Sequence, residues 1–234
     1  MLLYIIRHGE PNYELDILTE RGKLQAESVG LRLKEAGINR VFTSPLGRAR
    51  ETAEPTCRML GLEATVEEWA REVDEERLTS YPYNDNRSIS LVPSYIFREG
   101  GDINLPYDAQ FDSKVIKASK MHKALKRIET GGEEFLSRLG YKNEGGIYRI
   151  TKPSEERVAL FCHTVMARTW LSSLLHIPIH MMWSDFVYTF TGVTVINFQN
   201  YDTGFTSPRI MCYSDISHLY AHGPDTVYDG GIKI

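Results

Sequence analysis

The stretch "MLLYIIRHGEP" (residues 1–11) decides how this chain is read. Residues 2–6 are wholly apolar, and the run then ends in Arg7, His8 and Gly9. An unbroken apolar row of this length suits a strand covered on both faces, not the alternation of a half-exposed one. Three further runs share that character: "RVFTS" (40–44), "VALFC" (158–162) and "VTVINFQ" (193–199). Between the first two lies "LTERGKLQAESVGLRLKEAG", in which Ala26, Val29, Leu33 and Ala36 recur at helical intervals. Thr19 is placed to cap that helix and Gly37 to end it. After "VALFC" a second helix is predicted, with Ala167, Trp170, Leu171, Leu174 and Leu175 on one face and Pro178 as its stop. Strand–helix–strand order predicts an α/β fold, a three-layer α/β/α sandwich around a mainly parallel sheet.

Composition narrows the function classes. The chain has 234 residues, 42% hydrophobic and 25% charged, enough for one large domain with a well-buried core. A net charge of -4 and scattered basic residues argue against a nucleic-acid partner. The one basic run, "KVIKASKMHKALKR" (114–127), has the spacing of a solvated helix face. Cys57, Cys162 and Cys212 are odd in number and lack metal-ligand spacing, so they read as reduced thiols of a cytoplasmic protein. The opening apolar run is broken by Arg7 and has no basic stretch before it, so neither a signal peptide nor a membrane span is expected. Assembly as a homodimer is left open.

The middle of the chain reads differently. From 78 to 112, Tyr81, Pro82, Tyr83, Pro93, Tyr95, Phe97, Gly100, Gly101, Pro106 and Tyr107 promise no regular element, but a lid packed by its own aromatics. A long helix is predicted over 114–139, weakened at Gly131 and Gly132, and then a hairpin turning at Glu144, Gly145 and Gly146. The segment "RIMCYSDISHLYAHG" (209–223) is expected to add a final strand. The whole, 1–234, is expected to form one domain with a core of about 1–77 and 156–220 and a lid or insertion over 78–155.

Three strand tips carry the chemistry. The first gives Arg7, His8 and Gly9; the second runs through Ser44 and Pro45 into a helix holding Arg48; the third gives Cys162 and His163. Ligands of open parallel sheets sit at the carboxyl ends of the strands, so two imidazoles and two guanidiniums should gather there. A neutral imidazole is a competent nucleophile towards phosphorus, and guanidinium forks hold phosphoryl oxygens bidentately. His163 can donate to such an oxygen in the transition state. A metal held by His8 and His163 would be repelled by the two arginines, so no metal or other cofactor is expected.

"LLYIIRHGE", "LTERGKLQA", "VFTSPLGRARETA" and "VALFCHTVMARTWLSSLLHIP" together resemble the histidine phosphatase superfamily, the phosphoglycerate-mutase-like phosphatases. The four motifs occur in the family's order and span about 1–77 and 156–220. The resemblance implies a phosphohistidine intermediate on His8, with Arg7, Arg48 and His163 forming the phosphate pocket. It also implies an acid that protonates the leaving group, some two dozen residues beyond the second arginine. Glu72, twenty-four positions after Arg48 in "WAREVDEE", is the favoured choice, with Glu68 and Asp74 as alternatives. The "SPLGRA" context selects Arg48 over its neighbour Arg50, which is expected at the surface.

The chain departs from the family's pattern after the second histidine, where Thr164 replaces the usual glycine and could contact phosphate through its hydroxyl. Asn12, in the short loop after His8, is a further phosphate candidate. That loop lacks the long segment of the cofactor-dependent mutases, and the middle region lacks paired arginines for a second phosphate. Both absences favour water as the final acceptor. The expectation is a metal-independent phosphomonoester hydrolase acting on a small molecule, whose aromatic lid would suit a sugar, nucleotide or aromatic phosphate. The alternatives are a cofactor-dependent mutase or a non-catalytic phosphate-ligand-binding pseudo-enzyme. Cys162 and Arg168 have the spacing of a cysteine-phosphatase loop, but no glycine lies between them to bend it. His122, His176, His180 and His218 are read as structural or exposed.

Overall fold

The computed structural model describes residues 1–73, 88–119 and 121–224. Asp74 and the Tyr81-Pro82-Tyr83 part of the predicted lid lie outside them. In chain order the first elements are β1 (Leu2–Arg7), β2 (Pro11–Asn12), β3 (Ile17–Leu18), α1 (Glu20–Ala36), β4 (Arg40–Thr43), α2 (Gly47–Leu60) and β5 (Ala64–Val66). There follow α3 (Ser94–Glu99), α4 (Lys114–Lys117), α5 (Met121–Arg138), β6 (Tyr141–Glu144), β7 (Ile147–Ile150), β8 (Arg157–Cys162), α6 (Thr164–Leu175) and α7 (Ile179–Ser184). β9 (Val193–Asn197), β10 (Phe205–Thr206), β11 (Arg209–Asp215) and α8 (Ser217–His222) complete the described chain. No helix among the described residues is long and apolar enough to cross a membrane.

The main sheet has the order β11-β9-β1-β8-β4-β5. β1, β8, β4 and β5 pair in parallel, while β9 pairs antiparallel with β1 on one side and β11 on the other. Along β1 the side chains divide as a doubly covered strand requires. Leu3 and Ile5 belong to one core with α5, α6 and α7, and Tyr4 and Ile6 to another with α1 and α2. The three-layer α/β/α sandwich is therefore present, its sheet mixed but mostly parallel. α1 starts and stops where its caps predict: the Thr19 hydroxyl accepts from the Gly22 N–H, and Gly37 adopts φ 68°.

The predicted helix over 114–139 is two helices. Ser119 donates to the Ile116 carbonyl at 2.7 Å and accepts from the Met121 N–H at 3.4 Å, giving the backbone an alternative to helical bonding. Gly131 and Gly132, by contrast, do not weaken α5. A Cβ on Gly131 would lie 2.3 Å from the Trp69 Cβ, and one on Gly132 would lie 2.2 Å from the Trp170 Nε1. Two tryptophans occupy the space, so burial outweighs the helix cost of the glycines.

The described part of the predicted lid is more regular than its composition suggests. It holds α3 and three short 3-10 turns, and Ile89, Val92 and Phe97 are buried in the main core. Tyr95 stays exposed, while Phe97 stacks on His180. The hairpin β6–β7 turns at Gly145 and Gly146, both with positive φ, as expected. β10 adds a third strand to that hairpin, and β5 extends the main sheet; each is too short to announce itself by pattern.

Candidate active site

The register of the parallel strands brings the predicted residues together. Arg7 pairs with Cys162, and the His8 N–H donates to the Cys162 carbonyl at 3.0 Å. Thr43 pairs with Phe161, and the Ser44 N–H donates to the Phe161 carbonyl at 2.8 Å. The tips of β1, β4 and β8 are thus neighbours, and the rings of His8 and His163 come within 5.2 Å. Arg7, His8, Arg48 and His163 are 2%, 1%, 8% and 0% exposed.

His8 Nδ1 lies 2.7 Å from the Gly9 carbonyl oxygen. A carbonyl only accepts, so Nδ1 carries the proton and Nε2 keeps its lone pair. Gly9 is required here because a Cβ would sit 2.7 Å from the Gly22 carbonyl oxygen of α1. Burial, then the charge of Arg7, holds His8 well below the ordinary imidazole pKa. Burial likewise lowers His163, followed by the charges of His8 and the arginines. Both rings are therefore neutral near pH 7.

The arginines are fixed from outside the site. Arg7 lies over the Phe190 ring at 4.0 Å from its centroid and donates to the Tyr188 carbonyl. Arg48 donates to one oxygen of Asp16, whose other oxygen accepts from the Gly47 N–H at 2.6 Å. Tyr13 covers Arg48, with 5.4 Å between guanidinium and ring centroid, and meets His8 edge-on. Arg50, as expected, is exposed.

His163 Nε2 and the Ser44 hydroxyl are 2.7 Å apart, and that hydroxyl oxygen also accepts from the Leu46 N–H at 3.3 Å. The hydroxyl keeps its own proton free to donate to Nε2, the arrangement that would put the proton of His163 on Nδ1. His163 Nδ1 and the Thr164 hydroxyl are buried polar groups with no protein partner. Buried donors of this kind are satisfied by a ligand or by water.

Of the two acids among the described residues, Glu72 reaches the site. Its carboxylate accepts from the N–H groups of Met166 at 2.9 Å and Val165 at 3.3 Å, in the first turn of α6 directly after His163. Glu68 is exposed beside a groove of about 630 Å³ lined by Gly131 and Arg138. The Asn12 side-chain oxygen accepts from the Glu14 and Leu15 N–H groups at 3.1 and 3.2 Å, so it shapes the loop. Cys162 is fully buried in β8, burial pushes its thiol far above the ordinary range, and α6 begins two residues later. Arg168 donates to the Trp183 carbonyl. The cysteine-loop geometry is absent. His122 and His176 are exposed, and His180 and His218 are buried outside the cluster.

Sequence reading missed Asp16, Ser44, Thr52 and Phe190. Ser44 stood in the "TSPLGRA" motif and could have been singled out; an aspartate in a short polar loop and a phenylalanine between two threonines give no such signal. Thr52 accepts from the Gly9 N–H at 3.0 Å and donates to the Arg48 carbonyl at 2.6 Å, joining the first tip to the arginine helix.

Residues 3–90 match the family model described as histidine phosphatase superfamily (branch 1). Among curated relatives, the probable phosphoglycerate mutase GpmB of Cronobacter sakazakii is 35% identical over 81 residues, 31% of this chain. The match spans 38% of that relative's length, so the likeness is confined to part of it. Among solved structures, phosphoserine phosphatase from Entamoeba histolytica in complex with 3-phosphoglyceric acid has a TM-score of 0.61 at 19% identity, covering 93% of this chain and 98% of that one. A mycobacterial glucosyl-3-phosphoglycerate phosphatase gives 0.61 at 18%, covering 91% and 98%. YhfR from Bacillus stearothermophilus gives 0.59 at 21%, covering 93% and 98%. The likeness to branch 1 of the histidine phosphatase superfamily thus lies in residues 3–90, across the first two strand tips, and the fold is shared over most of the chain.

Proposed function

We propose that the chain hydrolyses small phosphomonoesters through a phosphohistidine on His8. The observation that carries this reading is the approach of two buried neutral imidazoles, 5.2 Å apart, within electrostatic reach of two buried guanidiniums. Nε2 of His8 gives its lone pair to phosphorus, the bond from phosphorus to the ester oxygen breaks, and that oxygen takes the proton of the Glu72 carboxyl. The Glu72 carboxylate then takes a proton from water as its oxygen attacks phosphorus. The phosphorus–nitrogen bond breaks, its electron pair returns to Nε2, and inorganic phosphate leaves. Arg7, Arg48, the Nδ1–H of His163 and the Thr164 hydroxyl hold the phosphoryl oxygens throughout. The guanidiniums supply the positive charge that a metal ion supplies elsewhere, and they would repel one.

Substrate class is supported by the solved neighbours, which include phosphatases named for phosphoserine and glucosyl-3-phosphoglycerate. The mutase-named relatives favour a second reading, transfer of the phosphoryl group to another hydroxyl. The test is a panel of small phosphomonoesters assayed for inorganic phosphate with the native protein and His8→Gln. Stoichiometric phosphate release lost in the variant supports the hydrolase. Phosphoryl transfer between substrates without phosphate release selects the mutase, and binding without turnover contradicts both.

A further inference from the structure

The helix α5 belongs to the insertion, yet it holds the segment that carries Glu72. Arg127 donates through Nη1 to the carbonyls of Trp69 at 2.6 Å and Arg71 at 3.0 Å, and through Nη2 to that of Glu72 at 3.3 Å. Four residues on, Gly131 leaves room for the Trp69 ring, which also packs on Phe135 and Trp170. Seven further on, Arg138 donates to both oxygens of Glu67, which also accepts from the Trp69 indole N–H at 2.9 Å. Positions 127, 131 and 138 fall on one stripe of a helix. That stripe grips 67–72 along its length, and the Glu72 carboxylate emerges at the far end against the first turn of α6.

We infer that Arg127 is a positioning residue for Glu72: it fixes the backbone from which the acid reaches the leaving group. The inference rests on the role given to Glu72 above. Three carbonyls in four residues satisfy a single guanidinium, a hold that a lysine with one compact ammonium cannot reproduce. The function of α5 is then not confined to covering the site; it sets the geometry of proton transfer.

The test exploits leaving-group demand. An alkyl phosphate needs its departing oxygen protonated, whereas p-nitrophenyl phosphate expels a stable phenolate and needs no acid. In Arg127→Lys, kcat/KM, which reports phosphorylation of His8 and not the shared hydrolysis step, falls about tenfold for an alkyl phosphate and stays within about twofold for p-nitrophenyl phosphate. Both rates are read on one preparation, so partial unfolding cancels in their ratio, and Arg127→Gln gives a second variant read the same way. In a Glu72→Gln background, Arg127→Lys changes the ratio no further. Equal losses on the two substrates, native rates in Arg127→Lys, or a further change of ratio in the double variant would each overturn the inference. If Glu72→Gln alone leaves the ratio unchanged, the assignment of the acid fails, which is a separate result.

Discussion

Replacing Ser44 with alanine removes one oxygen from a fully buried position. In the native protein that hydroxyl is 2.7 Å from His163 Nε2, and the other ring nitrogen has no protein partner. The substitution leaves an imidazole with 0% exposure and nothing to bias its tautomer. A buried polar group deprived of its partner costs about 1–3 kcal/mol. If that cost falls on the transition state, where Nδ1–H must meet a phosphoryl oxygen, kcat drops by about five- to 150-fold at roughly 1.36 kcal/mol per decade. Steady-state kinetics on one substrate, with nitrogen-15 shifts of His163 reporting the tautomer, measures both ends of the argument. The native ring should carry its proton on Nδ1, and the variant should show a mixture with a reduced kcat and little change in KM. Native kcat, or a native tautomer persisting in Ser44→Ala, would refute the reasoning.

Gly132→Ala places a Cβ 2.2 Å from the Trp170 indole, so urea denaturation should show a net loss of about 1–3 kcal/mol despite a helix gain of about 1 kcal/mol. Asp16→Ala frees the Arg48 guanidinium from its carboxylate, and inhibition by inorganic phosphate should weaken about tenfold, by about 1.4 kcal/mol, with the urea midpoint little changed. The buried histidines disfavour a proton when folded, and His218 is lowered to about 3 by burial and then the charge of Arg32. Their contribution is complete above the unfolded value of about 6.5 and is lost as pH falls below it, by about 1.4 kcal/mol per pH unit for each fully titrating ring. Urea midpoints at pH 7 and pH 5 check the sign; equal or higher stability at pH 5 would contradict it.

The parts of this molecule legible in the sequence are those where a single physical requirement dominates. β1 must be apolar on both faces, and a cation, an imidazole and a glycine at its end fit no purely structural need, so the tip declares itself. The same holds for the caps of α1, because Thr19 and Gly37 act within a few residues of themselves. What stayed hidden depends on contacts distant in the chain. Gly131 and Gly132 look like helix breakers until Trp69 and Trp170 occupy the spaces beside them. The antiparallel setting of β9 is not encoded in its own run of residues, and an aromatic stretch such as 88–112 cannot reveal whether it covers the core or joins it. Within the site, His8, Arg7 and His163 were readable as residue types at strand tips, and Arg48 as the arginine of the helix after one. Their supports, Asp16, Ser44 and Phe190, were not, because nothing local distinguishes a loop aspartate that holds Arg48 from one that meets water.

The most direct measurement is to trap and map the covalent intermediate. Brief reaction with a labelled phosphomonoester followed by quenching should leave label on His8, acid-labile and base-stable, retained in Cys162→Ser and absent in His8→Ala. Label that survives loss of His8 but vanishes with Cys162, or turnover with no phosphoenzyme at any time, would contradict the account.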